Sequence, residues 1–177
     1  KRVLSYFLKA NKLAHPRTDI FYYKNEALDF IINTRFPLVG KSSLGAGGTG
    51  VKILYDRHQA EQYIMDAFSS KGLQRKTGPN LKSGNYTRRI IKRLKNLKQT
   101  KEKLKFYSNI AADTQKGFVI FQEFIPHDFE WRCVRIGESF FAHKKIARNS
   151  MSSGNLLKGY DPVPFELLNF IKDIRHR

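Results

Sequence analysis

The chain has 177 residues, with 33 Lys and Arg against 15 Asp and Glu and a formal charge of +18. A hydrophobic share of 41%, with 14 Phe and 8 Tyr, can fill one domain or two small ones and excludes wholesale disorder. No apolar run approaches the roughly 18 residues of a membrane span, and a single cysteine, Cys133, excludes an internal disulfide framework, so a reducing, cytoplasmic setting is expected.

The chain opens at Lys1 with neither an initiator Met nor a signal peptide and is expected to begin inside a longer protein. Val3, Leu4, Phe7 and Leu8 have helical spacing and predict a first helix over Arg2 to Lys12. Thr18 to Tyr23 is β-branched and aromatic and reads as a strand. Ala27, Leu28, Phe30 and Ile31 make a second helical stripe over Glu26 to Ile32. Phe36 to Lys41 predicts a strand with Pro37 at its edge, and Val51 to Tyr55 a strand that returns from the glycine-rich loop 42–50. Asp56 is placed to N-cap a helix with Ala60, Tyr63, Ile64, Ala67 and Phe68 on one face. Ser69 to Asn85 reads as a mobile loop.

Tyr86 to Tyr107 lacks Gly and Pro. Its apolar residues Tyr86, Ile90, Leu94, Leu97 and Leu104 define one face of a helix whose other faces are basic. Between Lys71 and Phe106 there are 13 basic residues and one acid, Glu102, so this insert carries +12 of the +18. The charge is therefore local, not a field of the whole chain. Three strands follow over Gly117 to Ile125, Glu130 to Ile136 and Ser139 to Ala147, the last two joined by a tight turn at Gly137-Glu138. Pro162 and Pro164 precede a final helix. Without regular βαβ alternation, this order predicts an α+β fold.

The loop Lys41-Ser42-Ser43-Leu44-Gly45-Ala46-Gly47-Gly48-Thr49-Gly50 is the most informative stretch. Glycines let successive N–H groups curl around phosphate oxygens, and Lys41 adds a point charge at the strand end. The spacing is not that of a P-loop, and the loop leads into a strand where a dinucleotide fingerprint would open a helix. A glycine flap between two strands suits the covering of nucleotide phosphates; a plain hairpin is the alternative.

The order of motifs resembles the ATP-grasp superfamily, specifically its ribosomal-protein glutamate ligase-like branch. Lys1, a helix and Pro16-Arg17-Thr18 are similar to that branch's opening; Phe36 to Val51 to its strand, lysine and flap; Phe121-Gln122-Glu123-Phe124-Ile125-Pro126 to its adenine hinge; Glu130-Trp131-Arg132 to its Asp-x-Arg strand; and His143-Lys144-Lys145 to a basic pair on the next strand. The resemblance implies two α+β lobes gripping ATP, incomplete in this chain. Residues 1–125 would form the first helix and small lobe, with the basic insert 70–106, and residues 126–177 part of the large lobe. It implies that Lys1, Lys41 and the backbone of Gly45, Gly47, Gly48 and Gly50 bind phosphates. Glu123, Phe124 and Ile125 would serve adenine, Asp128 or Glu130 would lie toward the ribose, and Asn155 would complete the nucleotide site. Arg132 and one of Lys144 and Lys145, with Lys144 preferred, would face the reacting group. ATP and Mg²⁺ are the implied cofactors, with the metal ligands expected beyond Arg177.

Glu130 replaces the family's Asp, and Asn155 lacks the Arg two residues before it that the family shows, unless Arg148 substitutes. The family's N-terminal α/β domain is also missing. An ATP-dependent carboxylate–amine ligase acting through an acyl phosphate is the leading expectation. An ATP-grasp-type kinase and a non-catalytic polyanion- or nucleic-acid-binding module are the alternatives. The insert reads as a solvated helix face, as a clamp for an anionic acceptor or polymer, or, least favoured because few aromatics interleave its cations, as a nucleic-acid surface. Cys133 reads as a packed small hydrophobe, and the five histidines have no metal spacing.

Overall fold

The computed structural model describes residues 1–44, 50–74, 101, 102, 105, 108, 113–147 and 158–175. The basic helix expected over Tyr86 to Tyr107 lies outside them except for three positions, 101, 102 and 105, which are helical, as is 108 just beyond it. The chain is mixed α+β, as its element order predicts, and among the described residues all strand pairs are antiparallel.

Strands β1 (Thr18–Phe21), β2 (Leu38–Lys41), β3 (Val51–Leu54) and β6 (Val119–Glu123) form a four-stranded sheet in the order β1-β6-β2-β3. Helices α2 (Lys24–Ile32) and α3 (Arg57–Phe68) supply Ala27, Ile31, Ala60, Tyr63, Ile64 and Ala67, which cluster with Leu38, Leu54, Val119 and Phe121 of the sheet. The small alanines let helix and sheet backbones approach. Closest is β2, where a Cβ on Gly40 would stand 2.9 Å from the Tyr63 ring. The Asp56 cap forms as the sequence predicts, its carboxylate accepting from the Gln59 N–H at 2.8 Å; such caps contribute about 1 kcal/mol.

Among the short strands with no counterpart in the sequence reading are two that pair with each other. β4 (Leu73–Gln74) pairs with β5 (Thr114–Gln115), so part of the expected mobile loop is tied to the far end of the basic insert. Gly72 at φ +70 makes the turn into β4, and its N–H donates to Ser69 Oγ at 3.1 Å.

β7 (Phe129–Ile136) and β8 (Ser139–Ile146) form a hairpin of two eight-residue strands, with the two-residue β9 (Lys158–Gly159) beside β8. The turn falls at the predicted Gly137-Glu138, with Gly137 at φ +58 in the first central position, where a type II′ turn favours glycine. Helix α4 (Phe165–Arg175) follows Pro164. The first helix, α1 (Arg2–Ala10), ends two residues earlier than expected, and Lys12 takes φ +53 beyond it. Its apolar stripe is largely uncovered, with Val3, Leu4 and Phe7 all exposed. Among the described residues no helix is long and apolar enough to cross a membrane.

Candidate functional site

Side chains alternate along a strand. Leu38 and Gly40 face α2 and α3, so Val39 and Lys41 face the other way. Lys41 stands half-buried at the end of β2, beside the neck of the glycine loop. That neck is closed by hydrogen bonds from its backbone N–H groups. The Ser42 N–H donates to the Gly50 carbonyl at 2.7 Å, and the Leu44 N–H donates to Ser42 Oγ at 3.1 Å. The Lys1 amine, arriving from the start of α1, donates to the Ser42 carbonyl at 2.5 Å. Gly50 sits where no side chain fits: a Cβ there would collide with the Leu44 carbonyl and lie 3.0 Å from Lys1 Nζ. This crowding, not a left-handed backbone, explains glycine at position 50.

The neck is also tied to the rest of the fold. The Ser43 N–H donates to Gln115 Oε1 at 2.6 Å, and Gln115 Nε2 donates to the Phe118 carbonyl at 3.1 Å. Gln115 is buried. Sequence reasoning missed it, because a lone Gln in a two-residue strand has no periodicity to mark it.

Two cations thus meet at the neck. Burial pushes the Lys41 amine below the ordinary lysine range and the charge of Lys1 pushes it further, while Glu130 opposes both. Burial also lowers Lys1. Among the described residues, neither amine has a carboxylate within salt-bridge distance. A partly desolvated pair of cations with no carboxylate in salt-bridge contact among the described residues is suited to an anion.

Glu130 brings β7 to this place. Its carboxylate acts on Lys41 and lies 3.8 Å from Lys145 Nζ, its cross-strand neighbour. Arg132 follows on the same face, opposite His143. Lys144 does not join them. One residue out of phase with Lys145, it points to the opposite face, where it pairs with Asp161 at 2.9 Å and lies 4.5 Å from the Phe129 ring centroid and 5.4 Å from that of Trp131. Lys144 holds the Asp161 carboxyl below the usual range. The sequence reading preferred Lys144 as the partner of Arg132; the register separates the two and puts Lys145 beside Arg132. Cys133 shares the Lys144 face, and burial pushes its thiol up, as suits a packed group and not a nucleophile.

The hinge residues lie apart from the cations. The Glu123 N–H donates to the Arg17 carbonyl at 2.9 Å, and its Oε1 accepts from the Arg17 N–H at 2.7 Å. Glu123 and Phe124 border a cavity of about 750 Å³ on the α2 side, with Phe30, Phe36 and Phe121. The Ile125 carbonyl is 2.8 Å from His127 Nδ1. Gly45, Gly47, Gly48 and Asn155 lie outside the described residues. Among the described residues no group of His, Cys, Asp or Glu is placed to hold a metal ion.

No protein-family model matches the chain, and no curated protein matches it.

Proposed function

We propose that the chain forms the nucleotide-binding part of an ATP-dependent carboxylate–amine ligase of ATP-grasp type. The observation that carries this reading is the pair of half-buried amines, Lys1 and Lys41, at the crowded Gly50 neck, with the charge of Glu130, the partner of Lys145, acting on Lys41. In this reading the Lys1 and Lys41 amines bind phosphate oxygens, and the flap backbone covers them. A substrate carboxylate oxygen attacks the γ-phosphorus, the bond to ADP breaks, and an acyl phosphate forms. An amine then attacks the acyl carbon, and phosphate leaves with the bonding electrons. Arg132 and Lys145 stabilise the charge that builds on the transferring group and the acyl phosphate, as fixed cations do in phosphoryl transfer. The described residues offer no donor set for Mg²⁺, so no step is assigned to a metal. The +12 insert 71–106 is assigned to an anionic acceptor or polymer. The same charge favours one second reading, a polyanion-binding module without catalysis.

Nucleotide titration separates the two. ATP should bind the wild type. Lys41→Met should weaken it about 10- to 100-fold, the usual value of a hydrogen bond to a charged group. Arg132→Ala should lower turnover with less effect on ATP affinity. ATP that fails to bind, or that binds Lys41→Met equally well, would leave only the polyanion-binding reading.

A further inference from the structure

The charged face of the β7–β8 hairpin does not end at Arg132. The register places Val134 opposite Phe141 as the next pair on that face, and Ile136 opposite Ser139 at the tip. Successive pairs on one face are two residues, about 7 Å, apart. The face therefore reads, from base to tip, Glu130 with Lys145, Arg132 with His143, Val134 with Phe141, then Ile136 with Ser139. On the open face of an antiparallel sheet, polar residues are the rule. Here the outer half reverses it: Val134 is 41% exposed, Phe141 55% and Ile136 66%. An apolar strip thus continues in line from a pair of cations.

Charge and shape select the occupant. A polar acceptor chain would gain nothing from Val134 and Phe141, whereas a carboxylate with an apolar body matches both halves of the face. We propose that this strip binds the apolar body of the substrate acid, so that the carboxylate activated by the proposed ligase belongs to an acid with an aliphatic or aromatic chain, its head at Arg132 and Lys145 and its tail across Val134 and Phe141. The assignment rests on the ligase reading above and narrows its substrate class.

The test titrates acetate, octanoate and, in a separate arm, ADP into the 177-residue chain, followed by amide NMR shifts. Octanoate should bind at least about tenfold tighter than acetate, since each buried methylene adds severalfold. Octanoate should move the signals of Val134, Ile136 and Phe141; acetate should move only those around Arg132 and His143. The double variant Val134→Ser, Phe141→Ser changes exposed positions and should keep the acetate affinity while reducing the preference for octanoate to about twofold. Arg132→Ala should weaken both acids alike. Equal binding of the two acids, or a preference that survives the double variant, overturns the inference while leaving ADP binding and the ligase reading standing. ADP that fails to bind overturns the ligase reading and, with it, the assignment of the strip to a substrate, whatever the acids do.

Discussion

The neck of the β2–β3 loop and the β7–β8 hairpin hold their cations by opposite means. At the neck, backbone groups set the geometry: the Ser42 carbonyl holds the Lys1 amine, the Gly50 carbonyl holds Ser42, and no Cβ fits at position 50. In the hairpin, side-chain alternation sets it, and the Lys145–Glu130 contact is a long 3.8 Å pair with Glu130 47% exposed. The neck should therefore fail by distortion and the hairpin by loss of charge alone.

Glycine substitutions sharpen the contrast most. Gly50→Val forces atoms into the Leu44 carbonyl and the Lys1 amine and should cost about 1–3 kcal/mol, as overpacking does. Gly137→Ala meets nothing within 4 Å and is strained only by its φ of +58, at about 1 kcal/mol. Thermal melts of the two variants check the order, and ATP affinity should fall only for the first. A larger loss at Gly137 would contradict the account of the neck.

The titration of Lys41 separates the regions next. Its folded pKa lies below the ordinary 10.5, so between the two values the unfolded chain holds more protons and stability rises with pH. Pyrophosphate affinity should move the other way, falling through that window as the amine loses its charge. Lys41→Arg should make both profiles shallower, because guanidinium stays protonated and only Lys1, which burial also lowers, still titrates at the neck. Melts and pyrophosphate titrations from pH 8 upward read both signs; an affinity that stays flat in the wild type would remove Lys41 from the anion site.

The smallest effect is expected on the far face of the hairpin. Lys144→Met should leave Tm within about two degrees, because its partner Asp161 is an exposed carboxylate. It should also let Asp161 titrate nearer the ordinary carboxylate range, and it should leave ATP affinity unchanged. Lys145→Met should lower turnover with less effect on ATP affinity. A loss of turnover in Lys144→Met would mean that the faces are reversed.

Elements that announce themselves locally were legible in the sequence. Asp56 caps because an acceptor side chain precedes an apolar stripe, and Gly137 turns because it stands between two alternating runs. The α+β order followed from periodicity. The choice between Lys144 and Lys145 was not legible, since a shift of one residue moves a side chain to the other face and only pairing with Glu130 or Trp131 decides it. Gly40 falls inside the expected strand Phe36 to Lys41, but the reason for a glycine there, the Tyr63 ring on a helix more than twenty residues away, is not local. The β4–β5 pair and Gln115 depend on partners across the whole basic insert, beyond any local pattern.

The β4–β5 pair gives the chain a port for splicing. Leu73 faces Gln115 across two short strands, so the segment leaves and re-enters the fold at almost one point. Whatever stands between Gln74 and Thr114 can lengthen, shorten or change its charge while its two ends stay where they are. Doubling such a loop costs only about 0.6 kcal/mol in closure entropy. The sequence of this segment, with the positive charge concentrated in it, can therefore be exchanged with the lysines at the neck untouched.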